Sequence, residues 1–137
     1  SLRTQVRDLQ NQIARLELEK AEFARQQLNH MVRVEELFKA RLLGEAEPHD
    51  STNSEQVPAL EELDRRLSAS NAWLLEYANT LAQEQRAQVI QFRFADGKPG
   101  SLSRQEILFH LVNHGTHHRG QISAALTARR RNSVRVT

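Results

Sequence analysis

Apolar side chains recur along the first part of the chain at helical spacing. Leu2, Val6, Leu9, Ile13, Leu16 and Phe23 fall on alternating steps of four and three, with Lys20 as the one polar interruption. That is an a/d seam of about three heptads. Residues 2–43 contain neither glycine nor proline and are rich in Leu, Glu, Gln, Arg and Ala, all strong helix formers. The seam has two readings: the core-facing stripe of a first bundle helix, or a coiled coil that dimerises the chain. A single helix over this stretch would be about 63 Å long at 1.5 Å per residue, which outruns a compact domain. The stretch therefore either breaks near residues 26–28 or projects at its N-terminal end.

From residue 28 a second helical pattern carries Met31, Val34, Leu37, Phe38 and Leu42 on one side, and Gly44 stops it in the usual C-terminal glycine position. Residues 45–57 read as a polar loop with Pro48, and Pro58 suits the first turn of the next helix. That helix uses Leu60, Leu63, Leu67, Leu74, Tyr77 and Leu81 as its buried face, with Trp73 alongside. Ile90, Phe92 and Phe94 then alternate with polar residues and run into the Asp96-Gly97-Lys98-Pro99-Gly100 turn, an extended segment. With no second strand in view, it reads as an extended crossover and not as part of a sheet. Ser103 and Glu106 form a Ser-x-x-Glu capping box that opens the last helix, expected to end near Arg129. Four helices, one long crossover and no sheet predict an all-α four-helix bundle. The 137 residues make one helical domain: a heptad-patterned first helix over 1–27, a bundle core over 28–129 and a basic tail over 130–137.

Composition narrows the chemistry. Hydrophobic residues make up 39% and charged ones 26%, as in an ordinary soluble globular protein. The absence of cysteine excludes disulfide scaffolds, thiolate zinc sites and a cysteine nucleophile. Any thiol in this chemistry must arrive on a small molecule. No apolar run approaches the roughly 18 residues of a membrane span, and no signal peptide is read, so the expectation is a cytoplasmic protein without a membrane partner. A net charge of +2 is too small to argue for nucleic acid. Arg129, Arg130, Arg131 and Arg135 crowd the tail and read as a solvated chain end ahead of an anionic or nucleic-acid contact.

Four of the six histidines, His110, His114, His117 and His118, share the last helix. Ile107, Leu111, Gly115, Ile122, Ala125 and Leu126 mark its buried stripe; His118 lies near the centre of that stripe and His114 at its edge. Residues four apart are neighbours on a helix, so His114 and His118 can converge on one divalent metal. His110/His114 has the same spacing and competes, from a position nearer the polar side. Gly115 stands where a zincin would place its general-base glutamate, so that chemistry is set aside. A third ligand must come from another helix. His30 is the only other histidine inside one and flanks the apolar face of Met31, Val34 and Phe38; His49, in the polar loop, reads as surface. Arg119 and Gln121 stand beside the pair as secondary contacts.

Two segments also resemble a known family. LNHMVRVEELFKARLLGE at residues 28–45 resembles the second-helix signature of the DinB-like (YfiT-like) family, and NHGTHHRGQI at 113–122 resembles its last-helix motif. The DGKPG turn followed by SRQE at 103–106 looks similar too, so the resemblance covers about residues 28–126. It implies a four-helix bundle with a three-histidine divalent metal site, the ligands being His30, His114 and His118. The sequence departs from the family at both ends. The family's first helix usually carries Tyr or Trp and an Ala-Asn step, where residues 1–26 here have Phe23 as their one aromatic.

The resulting expectation is a metal-dependent enzyme. It would activate a low-molecular-weight thiol, or water, for transfer to a small electrophilic substrate. Imidazole ligation suits zinc or nickel first, with iron or copper as the other choices. The catalytic residues stay unknown; Glu35, a little over one turn beyond His30, is the acid/base candidate. The rival reading is a non-catalytic metal-dependent binding or stress-response module. In either case a homodimer is expected.

Overall fold

The computed structural model describes the backbone of residues 1–136 and the side chains of 1–124 and 127. It contains three long helices, α1 (Leu2–Leu43), α2 (Leu60–Thr80) and α3 (Arg104–Val136), with a short 3-10 turn (Gln83–Gln85) and two strands, β1 (Val89–Arg93) and β2 (Pro99–Ser103). Two expectations are corrected. Among the described residues there are three long helices, not four, because residues 2–43 form one uninterrupted helix with no residue able to break its hydrogen-bond ladder. The N-terminal half of α1 accordingly leaves Leu2, Val6, Leu9, Leu16 and Leu18 exposed. The extended segment is also not a lone crossover. β1 pairs antiparallel with β2, setting Phe92 opposite Gly100 and Ile90 opposite Leu102. The partner strand was hidden because it offers only Leu102 as a large apolar residue. Its Gly100 has a steric purpose: a Cβ there would lie 2.6 Å from the Phe92 ring.

Local signals behaved as their chemistry demands. Gly44 ends α1 in the left-handed region at φ 69°, where the amides of Gly44 and Glu45 reach the carbonyls of Arg41 and Ala40. At the start of α3, Glu106 N–H donates to Ser103 Oγ at 3.1 Å and Ser103 N–H donates to Glu106 Oε1 at 2.9 Å. That is the reciprocal capping box. Helix α3 runs past its expected end to Val136. The Arg129, Arg130, Arg131 and Arg135 side chains, and those of Ala125 and Leu126, lie outside the described residues.

The centre of the molecule is the second half of α1. Met31, Val32, Val34, Leu37, Phe38, Ala40 and Leu42 are all buried, a set too broad for one helical face, so this helix is enclosed on most sides. Glu36 holds Arg66, Lys39 lies over Trp73, and Arg104 ties the Leu42 carbonyl to the Tyr77 hydroxyl. These contacts set α2 parallel and α3 antiparallel to α1. Val34, Phe38, Leu42, Ile107 and Leu111 form the core cluster, which Phe92 and Leu102 of the hairpin cover. The 45–59 connection returns along α1, fixed by Asn29 Nδ2 to Ser54 Oγ at 2.9 Å and by Arg33 Nε to the Ser51 carbonyl at 3.2 Å. Among the described residues no helix is long and apolar enough to cross a membrane. Ile107 has no exposed surface, so Ile107→Ala should cost about 2–5 kcal/mol in urea unfolding. Leu18→Ala, at an exposed position, should stay within about 0.5 kcal/mol.

Candidate metal centre

Two helices deliver three histidines to one place. His30 lies one turn into the enclosed half of α1, and the antiparallel course of α3 brings His114 and His118 to the same level. His30 Nε2 is 3.0 Å from His114 Nε2, and His118 Nε2 is 3.1 Å from the same atom. The ligating atoms of all three fall within 4.8 Å of one another, and each ring is half-buried.

The outer nitrogens decide what the inner ones can do. His30 Nδ1 donates to the Thr52 carbonyl at 3.0 Å. His118 Nδ1 donates to the Gln27 Oε1 oxygen. With those protons placed at Nδ1, the neutral rings of His30 and His118 present lone pairs at Nε2. Both lone pairs face His114 Nε2, which carries at most one hydrogen and can satisfy at most one of them. A cation among the three satisfies all at once, and tetrahedral bonds of about 2.0–2.1 Å would need nitrogen separations close to those found. The three histidines therefore form a group that could hold a metal ion. Orienting a ligand through its far nitrogen is also how protein metal sites fix tautomer and ring direction.

The electrostatics agree. Burial, then the neighbouring His118 and His30, push the His114 imidazole down to about 4, so it stays neutral at ordinary pH. Burial and His30 also lower His118, while Gln121 beside it pulls the other way. Neutral imidazole is the ligating form.

The remaining histidines separate. His110 does not join the group; its ring lies 5.3 Å from Phe38 and 6.0 Å from His114, so the competing His110/His114 pair is not the one that meets His30. His117 stands edge-on to His118 at 5.2 Å and is exposed. His49 is not a free surface residue, because its Nε2 meets Glu36 Oε1 at 2.7 Å. Two contributors were missing from the sequence reading. Thr52 acts through its backbone, so its identity carries no signal. Gln27 sits one turn before His30 on the same helix face, a clue that gains meaning only once α3 is alongside.

His30 and His114, together with His110, line a cavity of about 200 Å³ that also has Phe38, Arg41 and the hairpin-turn residues Phe94 and Ala95 in its wall. Arg41 is held there over the Phe38 and Phe92 rings at 4.7 and 4.5 Å and by Glu47 at 2.6 Å. Glu35 and Arg119 line a different pocket, between α2 and α3. There Glu35 is 4% exposed; burial raises its carboxyl above the usual range, opposed by nearby Ser70 and Arg119. Gly115 faces Arg119: a Cβ at that position would touch the guanidinium at 3.7 Å.

The lowered His114 pKa predicts an acid response of the metal-free protein. The unfolded chain takes up this proton near pH 6.5 and the folded one only near 4, so the unfolded state binds more protons between those values. Stability is complete above pH 6.5 and declines as pH falls toward 4. Urea midpoints across that window should fall in the wild type and fall less in His114→Gln; equal slopes would place the effect elsewhere.

Comparison with known proteins places the chain in a family. No curated protein and no solved structure matches the chain. The model of the DinB family matches residues 9–128, a stretch that includes all three converging histidines and most of each long helix. The chain belongs to the DinB family.

Proposed function

We propose that His30, His114 and His118 ligate one divalent metal ion and that this centre serves a metal-dependent reaction on a small molecule. One observation carries the reading: three Nε2 atoms converge with 3.0 and 3.1 Å contacts while two of the rings already spend their Nδ1 protons on oxygen acceptors. Zinc or nickel suits this imidazole donor set best, with iron or copper next. A divalent cation held there supplies Lewis acidity, which favours the deprotonated form of a water or thiol brought to it.

The chain's own residues then do the positioning. Thr52 and Gln27 fix the His30 and His118 rings. Three protein ligands leave positions open for an incoming group, and the adjoining cavity offers it about 200 Å³. Phe38, which is buried, gives the wall an apolar side. Arg41, also in the wall, offers a positive charge to an anionic or polarised substrate group. The chain has no cysteine, so a nucleophilic thiol would be a low-molecular-weight one. The partner electrophile is a small molecule matched to the cavity.

Purified protein should contain about one metal ion per chain, and His118→Ala should lose it, by elemental analysis. Full retention in that variant would remove the three-histidine reading. With metal present, thiol consumption alongside a model electrophile should exceed the His118→Ala background by at least tenfold. Equal rates would leave a metal-binding module without turnover.

A further inference from the structure

His30 and His118 take their orientation from different kinds of neighbour. Gln27, which holds His118, lies on a helix. Thr52, whose carbonyl accepts from His30 Nδ1 at 3.0 Å, lies in the irregular connection between α1 and α2. That carbonyl is held in place by a series of bonds to α1. His49 Nε2 donates to Glu36 Oε1 at 2.7 Å, Arg33 Nε to the Ser51 carbonyl at 3.2 Å, and Asn29 Nδ2 to Ser54 Oγ at 2.9 Å. Residues 29, 33 and 36 are spaced four and three apart and share a helix face, with His30 beside them. As the α1 number falls from 36 to 29, the partner number rises from 49 to 54, so the connection lies antiparallel along that face. Arg66 of α2 grips Glu36 from the other side, while Ser51 Oγ and Ser54 Oγ close local turns onto the Asn53 and Gln56 carbonyls. His49, Ser51, Thr52 and Ser54 are half-buried, whereas Asp50 and Asn53 are exposed. One side of the segment meets the helix and the other meets water.

We propose that residues 49–54 form a strap that belongs to the metal centre, with Arg33 as its positioning residue: closed on α1, the strap gives His30 the tautomer and ring direction that ligation requires. The inference rests on the three-histidine metal reading and adds the element that makes His30 competent. A neutral imidazole carries one proton. Donated from Nδ1 to Thr52, that proton leaves the Nε2 lone pair facing His114 and His118. With the strap away, water accepts from either nitrogen and the ring is free to turn. The coupling is reciprocal: a closed strap that favours the metal is itself favoured by bound metal, by the same factor. Arg33 holds the peptide group just before the accepting carbonyl, so its removal acts on His30 without touching the histidines.

Zinc affinity, read by competition with a chromophoric chelator, tests this. Arg33→Met should bind zinc about 10–100-fold more weakly, the usual cost of losing a group that orients a ligand. Arg33→Lys should recover part of that loss, and Thr52→Ala should match wild type because the acceptor is backbone. Ser54→Ala, a change outside the helices, should weaken binding in the same direction and decides the point if Arg33→Met loses helix content. Zinc-loaded wild type should show a His30 Nδ1 proton by NMR that Arg33→Met broadens by exchange with water. Zinc should also slow cleavage after Glu47 and Glu55 by a glutamate-specific protease in wild type, but not in His118→Ala. Wild-type affinity in a folded Arg33→Met, loss in Thr52→Ala, or cleavage indifferent to zinc would each overturn the strap's role and leave the three-histidine centre standing. A wild type that binds no zinc would overturn both.

Discussion

The rest of the structure depends on the enclosure of one helical segment, the second half of α1. Between residues 29 and 42 this helix is buried on nearly every side, so each neighbour must dock against it in a fixed phase. Helix α2 packs along one side, α3 along another, the hairpin caps Phe38, and the 45–59 connection seals the remaining face through Asn29, His30 and Arg33. A helix held this way has no freedom to rotate, and the directions in which its polar residues point become properties of the fold.

That constraint divides the polar chemistry of α1 between two places. His30 faces α3 at the level of His114 and His118, where the Thr52 carbonyl fixes its ring. Glu35, 140° further round the helix by ideal geometry, faces the α2–α3 groove with Arg119 instead. Closeness in sequence suggested a shared site for His30 and Glu35, yet helical phase assigns them to separate pockets. Glu36, one residue on, binds Arg66 and His49 and so ties α2 and the connection to the central helix; these partners hold its carboxyl below the usual range against the effect of burial.

Three long helices and a hairpin also leave the molecule with uncovered apolar surface. A helical bundle of this size hides its hydrophobic stripes by surrounding each helix with others. Here the N-terminal half of α1 continues the central helix and does not fold back beside it. Leu75 and Val112 on one side, and Leu2, Leu9 and Leu16 on the other, are the consequence. The three-histidine group that could hold a metal ion thus lies apart from these exposed apolar residues.

The sequence by itself determined the mainly helical character, the Gly44 stop, the Ser103–Glu106 cap and the histidine set, since these rest on local spacing and on side chains that act within a turn or two. It also limited the nucleophiles, because a chain without cysteine can supply no thiolate. Periodicity brought His118 and His114 to one face, while His30 joined them more through the family resemblance than through periodicity. What the tertiary structure decided was everything that depends on a distant partner. Continuity of α1 depended on whether any neighbour made breaking it favourable; pairing of β1 depended on a strand whose glycine and single leucine give no alternating pattern. Thr52 and Gln27 became ring-orienting groups only when α3 lay antiparallel against α1. Local hydrogen-bonding and hydrophobic period are written in consecutive residues; convergence of groups more than eighty positions apart is set by how enclosed helices pack.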